Sequence, residues 1–154
     1  MKMKHPAKLI RSTQKEGMLT QFGALCYRID DGKPQVLLVT SRGTGRWILP
    51  KGRPIEGLNP AETAAQEAWE EAGVVGKPRD HCLGFYPFEK DRDENGYVPC
   101  AVLVYPVRVQ KMTDDFPERG QRRIKWFSRK KAASAVGEPE LSRILLSFDP
   151  RRLR

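Results

Sequence analysis

Apolar residues recur along this 154-residue chain in two rhythms, one suited to strands and one to helices. Residues 21–28 and 35–40 are strand-length apolar runs, and Asp31-Gly32 between them is a hairpin signal. Residues 46–49 predict a short strand stopped by Pro50, and residues 97–109 a long Val-rich central strand with Pro99 and Pro106 trimming its ends. Residues 123–127 predict one more strand. In 140–148 the positions of Leu141, Ile144, Leu145 and Phe148 follow helical spacing and predict a closing amphipathic helix. A second helix is predicted over Pro60–Ala72. Asn59 is a favoured N-cap, Pro60 suits the first helical position, Glu62 stands three residues past the cap, and Gly73 is a stop. On that helix Ala61, Ala64, Ala65, Ala68 and Ala72 share a small face, and Glu67, Glu70 and Glu71 share another. Strands mixed with two helices, without repeats, give an α+β or α/β sandwich. The length suits a single domain, read as residues 16–150 between a basic arm (1–15) and a basic tail (151–154).

Charge changes this picture. The net +9 is concentrated as +5 on residues 1–15, +6 on 116–131 and +3 on 151–154, which leaves the remainder acidic. Such flanks suit a nucleic-acid binder, an enzyme acting on polyanions, or solubilising ends. No apolar run nears the roughly 20 residues that span a bilayer, so no membrane partner is expected. The N-terminus lacks a signal-peptide core, and Cys26, Cys82 and Cys100 form no CxxC pair. A reduced, cytoplasmic chain is the expectation.

The three glutamates are locally unfavourable. At spacings of three and four they repel one another, and they sit in the last turns, where the helix dipole disfavours anions. Either they form a solvated acidic face or they hold a hard divalent cation, Mg²⁺ or Mn²⁺. The preceding loop, Leu49-Pro50-Lys51-Gly52-Arg53-Pro54, favours the cation. Gly52 lets backbone approach a ligand, and Lys51 and Arg53 supply positive charge for a diphosphate.

Residues 52–74, GRPIEGLNPAETAAQEAWEEAGV, resemble the Nudix box, G-x5-E-x7-R-E-U-x-E-E-x-G-U with U apolar. Gly52, Glu67, Ala68, Glu70, Glu71, Gly73 and Val74 meet the pattern, whereas Leu58 stands for its first Glu and Gln66 for its Arg. The resemblance extends loosely over residues 21–148. It implies an α/β/α sandwich around a mixed sheet, and a metal-dependent hydrolase that cleaves a diphosphate linked to another group. Loss of both members of an ion pair is far cheaper than loss of one, and Leu58 packed on the aliphatic part of Gln66 is the expected substitute, with Glu56 as another source of the carboxylate. The implied metal set is Glu67, Glu70, Glu71 and the Lys51 carbonyl; Glu70 and Glu67, with Glu118 from a later loop, are the catalytic candidates. Glu89 and Glu94 are weaker candidates in a different loop.

Other segments are similar to the diphosphoinositol and diadenosine polyphosphate branch of that family. By that likeness Arg28, Ser41, Arg42, Arg122 and Arg123, with Gly52 and Arg53, would hold a phosphorylated small molecule, although Thr20 and Gln21 replace basic residues common in the branch. Nucleoside triphosphates and RNA 5′ ends are the further substrate classes. A non-catalytic nucleotide- or RNA-binding module is the competing function, for which the basic 119–131 stretch with Trp126 and Phe127 is suited. His5 and His81 are isolated, and Trp69 reads as packing. Oligomeric state is not legible.

Overall fold

In the computed structural model, which describes residues 6–15, 17–93 and 96–153, one mixed sheet is flanked by helices. The elements are α1 (Pro6–Lys15), β1 (Leu19–Asp30), β2 (Lys33–Thr40), β3 (Trp47–Ile48), β4 (Lys51–Gly52), α2 (Pro60–Ala72) and β5 (Val74–Pro78). They continue as β6 (Gly84–Asp93), β7 (Gly96–Met112), β8 (Ile124–Ser128), α3 (Arg129–Ala135) and α4 (Pro139–Ser147), closed by a 3₁₀ turn at Pro150–Arg152. The sheet runs β3-β2-β1-β7-β5, with β4 beside β1, β6 beside β7 and β8 beside β2. β1 and β7 are parallel, from Leu19 opposite Cys100 to Tyr27 opposite Arg108. The β1–β2 hairpin closes at Asp30 opposite Lys33, and Asp31 (φ 51°) and Gly32 (φ 73°) take the left-handed conformation that a tight hairpin turn requires.

Consecutive residues of β1 and β2 are buried, so the sheet is covered on both faces. α2 packs on β1, β5 and β7, whereas α3 and α4 pack on each other and on β2, β6 and β8. The alanine face of α2 lies against the sheet with Ala61, Ala64, Ala68 and Ala72 buried. Small side chains let helix and strands approach closely, which brings the neighbouring Glu face down onto β4. In α4, Leu141 and Leu145 are buried, and Phe148 packs edge-on against Tyr27 with ring centres 5.1 Å apart. The sandwich is the expected α+β arrangement. No helix among the described residues is long and apolar enough to cross a membrane.

Several expectations need correction. Pro99 and Pro106 lie inside β7 rather than trimming it. Pro106 stays in the β1 ladder opposite Leu25. On its other edge its carbonyl accepts the Arg79 N–H, where the neighbour changes between the β6 pair at Val104 and the β5 pair at Val107, so its missing N–H falls in that gap. Pro99 precedes the first β1 pair, at Cys100. The basic arm is helical over Pro6–Lys15, with Ile10 packed against the core. β4, β5, β6 and α3 were not expected. β6 does carry an alternation, with Tyr86 and Phe88 buried and Phe85 exposed. Glu89 therefore lies on a strand and not in a loop; Glu94 and His5 lie outside the described residues. The closing helix and last strand are each displaced by one residue.

Candidate active site

A complete capping box sets the phase of α2: the Asn59 side chain accepts the Glu62 N–H at 2.8 Å, and Glu62 accepts the Asn59 N–H at 2.9 Å. In that phase Glu67 and Glu71, one turn apart, face β4. The Lys51 N–H donates to Glu71 Oε2 at 3.0 Å. The Glu67 carboxyl lies directly over Gly52, where a Cβ would stand 2.2 Å from its carboxyl carbon. Glu71 is only 3% exposed, and Glu67 and Glu70 are half-buried, so this face is not freely solvated.

Burial is what makes the pair costly to ionise. Burial, and then the neighbouring Glu70, raise Glu67 to about 7. Burial raises Glu71 to about 8 against the opposing pull of Arg122. Both groups hold their protons more tightly folded than unfolded. Their contribution to stability is therefore fully present below about pH 4.5 and is lost as pH rises through 7 to 8. For the metal-free chain, a melting temperature that falls across this window is expected, and Mg²⁺ should flatten the fall. A melting curve indifferent to both pH and Mg²⁺ would contradict it.

A cation already sits among the acids. Arg122 Nη2 is 3.3 Å from Glu71 Oε1 and 3.2 Å from Glu118 Oε1, and Nη1 donates to the Thr40 carbonyl at 3.1 Å. The guanidinium expected to face a substrate phosphate instead ties two carboxylates to the end of β2. Glu118 is carried there by its loop, whose main-chain N–H donates to the Glu70 carbonyl at 3.0 Å. Arg42 Nη1 lies 3.7 Å from Glu118 Oε1 and donates to Gln121 at 3.0 Å. Arg53 is exposed beside Gly52.

The other candidates are placed differently. Ser41 Oγ accepts the Thr44 and Arg46 N–H groups, both at 3.3 Å, and so builds the turn after β2. Arg123 stacks over Trp47 at 5.2 Å. Arg28 bonds Gln35 at 2.8 Å and lies over Trp126. It is five residues along β1 from Gly23, the partner of Lys51, or about 17 Å at roughly 3.4 Å per residue, and does not join the cluster. Leu58 and Gln66 line one surface groove with Trp69, but Leu58 keeps 38% exposure, so their contact is no buried replacement for an ion pair. Glu56 is exposed.

Among the described residues no three His, Cys, Asp or Glu side chains converge into a ready metal cage. The donor chemistry nevertheless fits a hard divalent ion: carboxylate oxygens, two of which already accept the positive charge of Arg122. Gly52→Ala tests the arrangement. The clash falls on the flexible end of Glu67, so stability should change by less than about 1 kcal/mol while any catalysis that needs Glu67 falls at least about a hundredfold. A fully active variant would show that Glu67 need not lie there.

The brace formed by Arg122 was not read from the sequence, nor was a second group formed by Arg46, Phe88 and Glu138. Arg46 Nη1 lies 3.6 Å from Glu138 Oε2, and Arg46 and the Lys51 ammonium stand 5.3 and 3.9 Å from the Phe88 ring centre. The alternation of β6 was the available signal for Phe88. Glu138 had none.

Comparison with known proteins adds an independent line. The NUDIX domain family model matches residues 19–148. "Nudix hydrolase 12, mitochondrial" of Arabidopsis thaliana is 31% identical over 130 residues, covering 79% of this chain and 64% of that protein. A human diphosphoinositol polyphosphate phosphohydrolase, NUDT4B, is 29% identical over 127 residues, covering 81% and 66%. The chain thus spans just under two thirds of the length of these two relatives. A Caenorhabditis elegans Ap4A hydrolase in a binary complex superposes with a TM-score of 0.61 at 19% identity over 84% of this chain and 93% of that one. A Nitrosomonas europaea NUDIX hydrolase gives 0.62 at 20% identity over 84% and 86%. These two establish likeness of fold.

Proposed function

The chain belongs to the Nudix family, and on that premise we propose that it is a cytoplasmic, divalent-metal-dependent pyrophosphohydrolase acting on a polyphosphorylated small molecule. The observation that carries the reading is the pair Glu67 and Glu71, held against the backbone of Lys51 and Gly52. Buried Glu71 and half-buried Glu67 are costly to ionise together even with Arg122 beside Glu71, and a divalent cation would offset that cost. Glu67 and Glu71, with Glu70 and the Lys51 carbonyl, would hold Mg²⁺ or Mn²⁺. When bound, such an ion neutralises phosphate oxygens and acidifies water. Gly52 lets the Glu67 carboxyl close onto the loop backbone, while Arg42 and Arg53 would place positive charge beside the diphosphate. By the family resemblance Glu70 would receive a proton from the attacking water, with Glu118, paired with Arg122 and Arg42, as the other candidate. The three cysteines are unbridged, in keeping with a reducing compartment.

The relatives' names, a diphosphoinositol polyphosphate phosphohydrolase and an Ap4A hydrolase, define the first substrates to try. Purified protein with Mg²⁺ is assayed against diphosphoinositols, dinucleoside polyphosphates, nucleoside triphosphates and triphosphorylated or capped RNA. Isotopically labelled water reports which phosphorus is attacked. Turnover that requires the metal and incorporates solvent oxygen into a phosphate product is expected. Inactivity over the whole panel, with substrate still bound, would replace the hydrolase by a binding module.

A further inference from the structure

Both oxygens of Glu71 are already engaged. Its Oε2 accepts the Lys51 N–H at 3.0 Å, and its Oε1 faces Arg122 Nη2 at 3.3 Å. The first partner is fixed backbone, because Lys51 lies in β4 and pairs with Gly23 of β1. The second is a charged side chain, 10% exposed, whose hydrogen bonds go elsewhere. Arg122 Nε and Nη2 donate to Glu118 Oε1 at 3.3 and 3.2 Å, and Nη1 donates to the Thr40 carbonyl at 3.1 Å.

Those bonds anchor the guanidinium without any help from Glu71. Thr40 is itself tied to the next residue along, its N–H donating to the Arg123 carbonyl at 3.0 Å and its Oγ1 accepting the Arg123 N–H at 2.9 Å. Glu118 is held through its own N–H on the Glu70 carbonyl. Arg122 is therefore a fixed positive charge beside the acids. In the metal-free chain it compensates a buried carboxylate, which is costly to leave alone. Toward an incoming divalent ion the same charge acts in the opposite sense. Ion and Nη2 would share Glu71 Oε1, and two cations on one oxygen repel strongly where water is scarce. Nor does Glu71 need the arginine for its position, since the phase of α2 and the Lys51 N–H supply it.

We infer that Arg122 is the resident counter-cation of this centre: it neutralises Glu71 when no metal is bound, yields Oε1 to a divalent ion while keeping Glu118 and Thr40, and so weakens binding of that ion. This role is opposite to that of a residue that positions a metal ligand, whose loss weakens the metal. It rests on the hydrolase reading for the place of the ion at Glu71.

The test is Mn²⁺ binding to the full chain, read from the electron paramagnetic resonance of the free ion, without oxygen, at about pH 8 and about pH 9. The higher pH favours ionised Glu71 and limits competition from its proton. Arg122→Gln and Arg122→Met both remove the charge, the first keeping a donor for Glu118. Whichever folds is expected to bind Mn²⁺ about tenfold tighter than wild type at the higher pH. Arg122→Lys keeps the charge and should bind within about threefold of wild type. Without metal the neutral variants should melt below wild type, and saturating Mn²⁺ should close most of that gap. A purely structural brace would leave the gap as it was. Equal or weaker binding by both neutral variants, a lysine variant as tight as they are, or a melting deficit that Mn²⁺ does not change would each overturn the inference. Glu71→Gln separates the two readings. If it weakens Mn²⁺ binding and the neutral variants do not tighten it, this inference alone fails. If it binds Mn²⁺ as wild type does, the metal assignment of Glu71 fails and takes the inference with it.

Discussion

Glu71→Gln should lower kcat about a thousandfold while leaving the melting temperature unchanged or higher. The activity term follows from the metal: a ligand worth several kcal/mol of charge stabilisation corresponds to roughly three powers of ten in rate. The stability term has the opposite sign because Glu71 is buried and already favours its neutral form. Gln has nearly the same shape and still accepts the Lys51 N–H. Arg122 loses one carboxylate but keeps Glu118 and the Thr40 carbonyl. Steady-state kinetics and a thermal melt at about pH 8 read the two terms separately. Retained activity would remove Glu71 from the metal set, and a large fall in melting temperature would make it a structural residue.

Gly73→Ala is expected to be the most damaging small substitution outside the core. Gly73 ends α2 in the left-handed conformation (φ 72°), where a Cβ alone costs about 1 kcal/mol. Here the Cβ would also stand 2.3 Å from the Thr113 carbonyl oxygen and 2.6 Å from the Phe116 ring. The Thr113 N–H donates to the Gly73 carbonyl at 2.8 Å, so the following loop cannot simply withdraw. A total near 3 kcal/mol, or about 6–12 °C in melting temperature for a domain of this size, is the expected loss. Gly120→Ala supplies the control, since Gly120 shares the positive φ (82°) with nothing near the added Cβ. If both variants melt together, the loop contact contributes nothing. The same loop carries Glu118 to Arg122, so Gly73→Ala should also impair turnover.

Legibility followed locality. The helix bearing the glutamates was readable because cap, proline, alanine face and stop all lie within 15 consecutive residues, 59–73, and they agree with one another. The β1–β2 hairpin was readable from Asp31-Gly32 for the same reason. β5 and β6 were not, because Gly76, Pro78 and Pro87 break the local pattern and their strands exist only through pairing with β7. Pro106 was misread as an end because sequence does not reveal that β7 changes neighbours there. Among site residues, Glu67, Glu70, Glu71 and Gly52 form one local motif. Arg28, Ser41, Arg122 and Arg123 were grouped by charge and likeness, which says nothing of distance.

The sequence by itself determined the family, the sandwich and a helix that gathers acids at a glycine-bearing loop, because each rests on neighbours along the chain. Only the tertiary structure decided what those acids experience. It buried Glu71, laid Glu67 on Gly52, brought Arg122 across from β8's approach to brace Glu71 and Glu118, and left Arg28 far along β1. It also buried Glu138 Oε1 with no hydrogen-bond partner among the described residues. Burial and charge pairing are sums over residues distant in sequence, and no local pattern contains them.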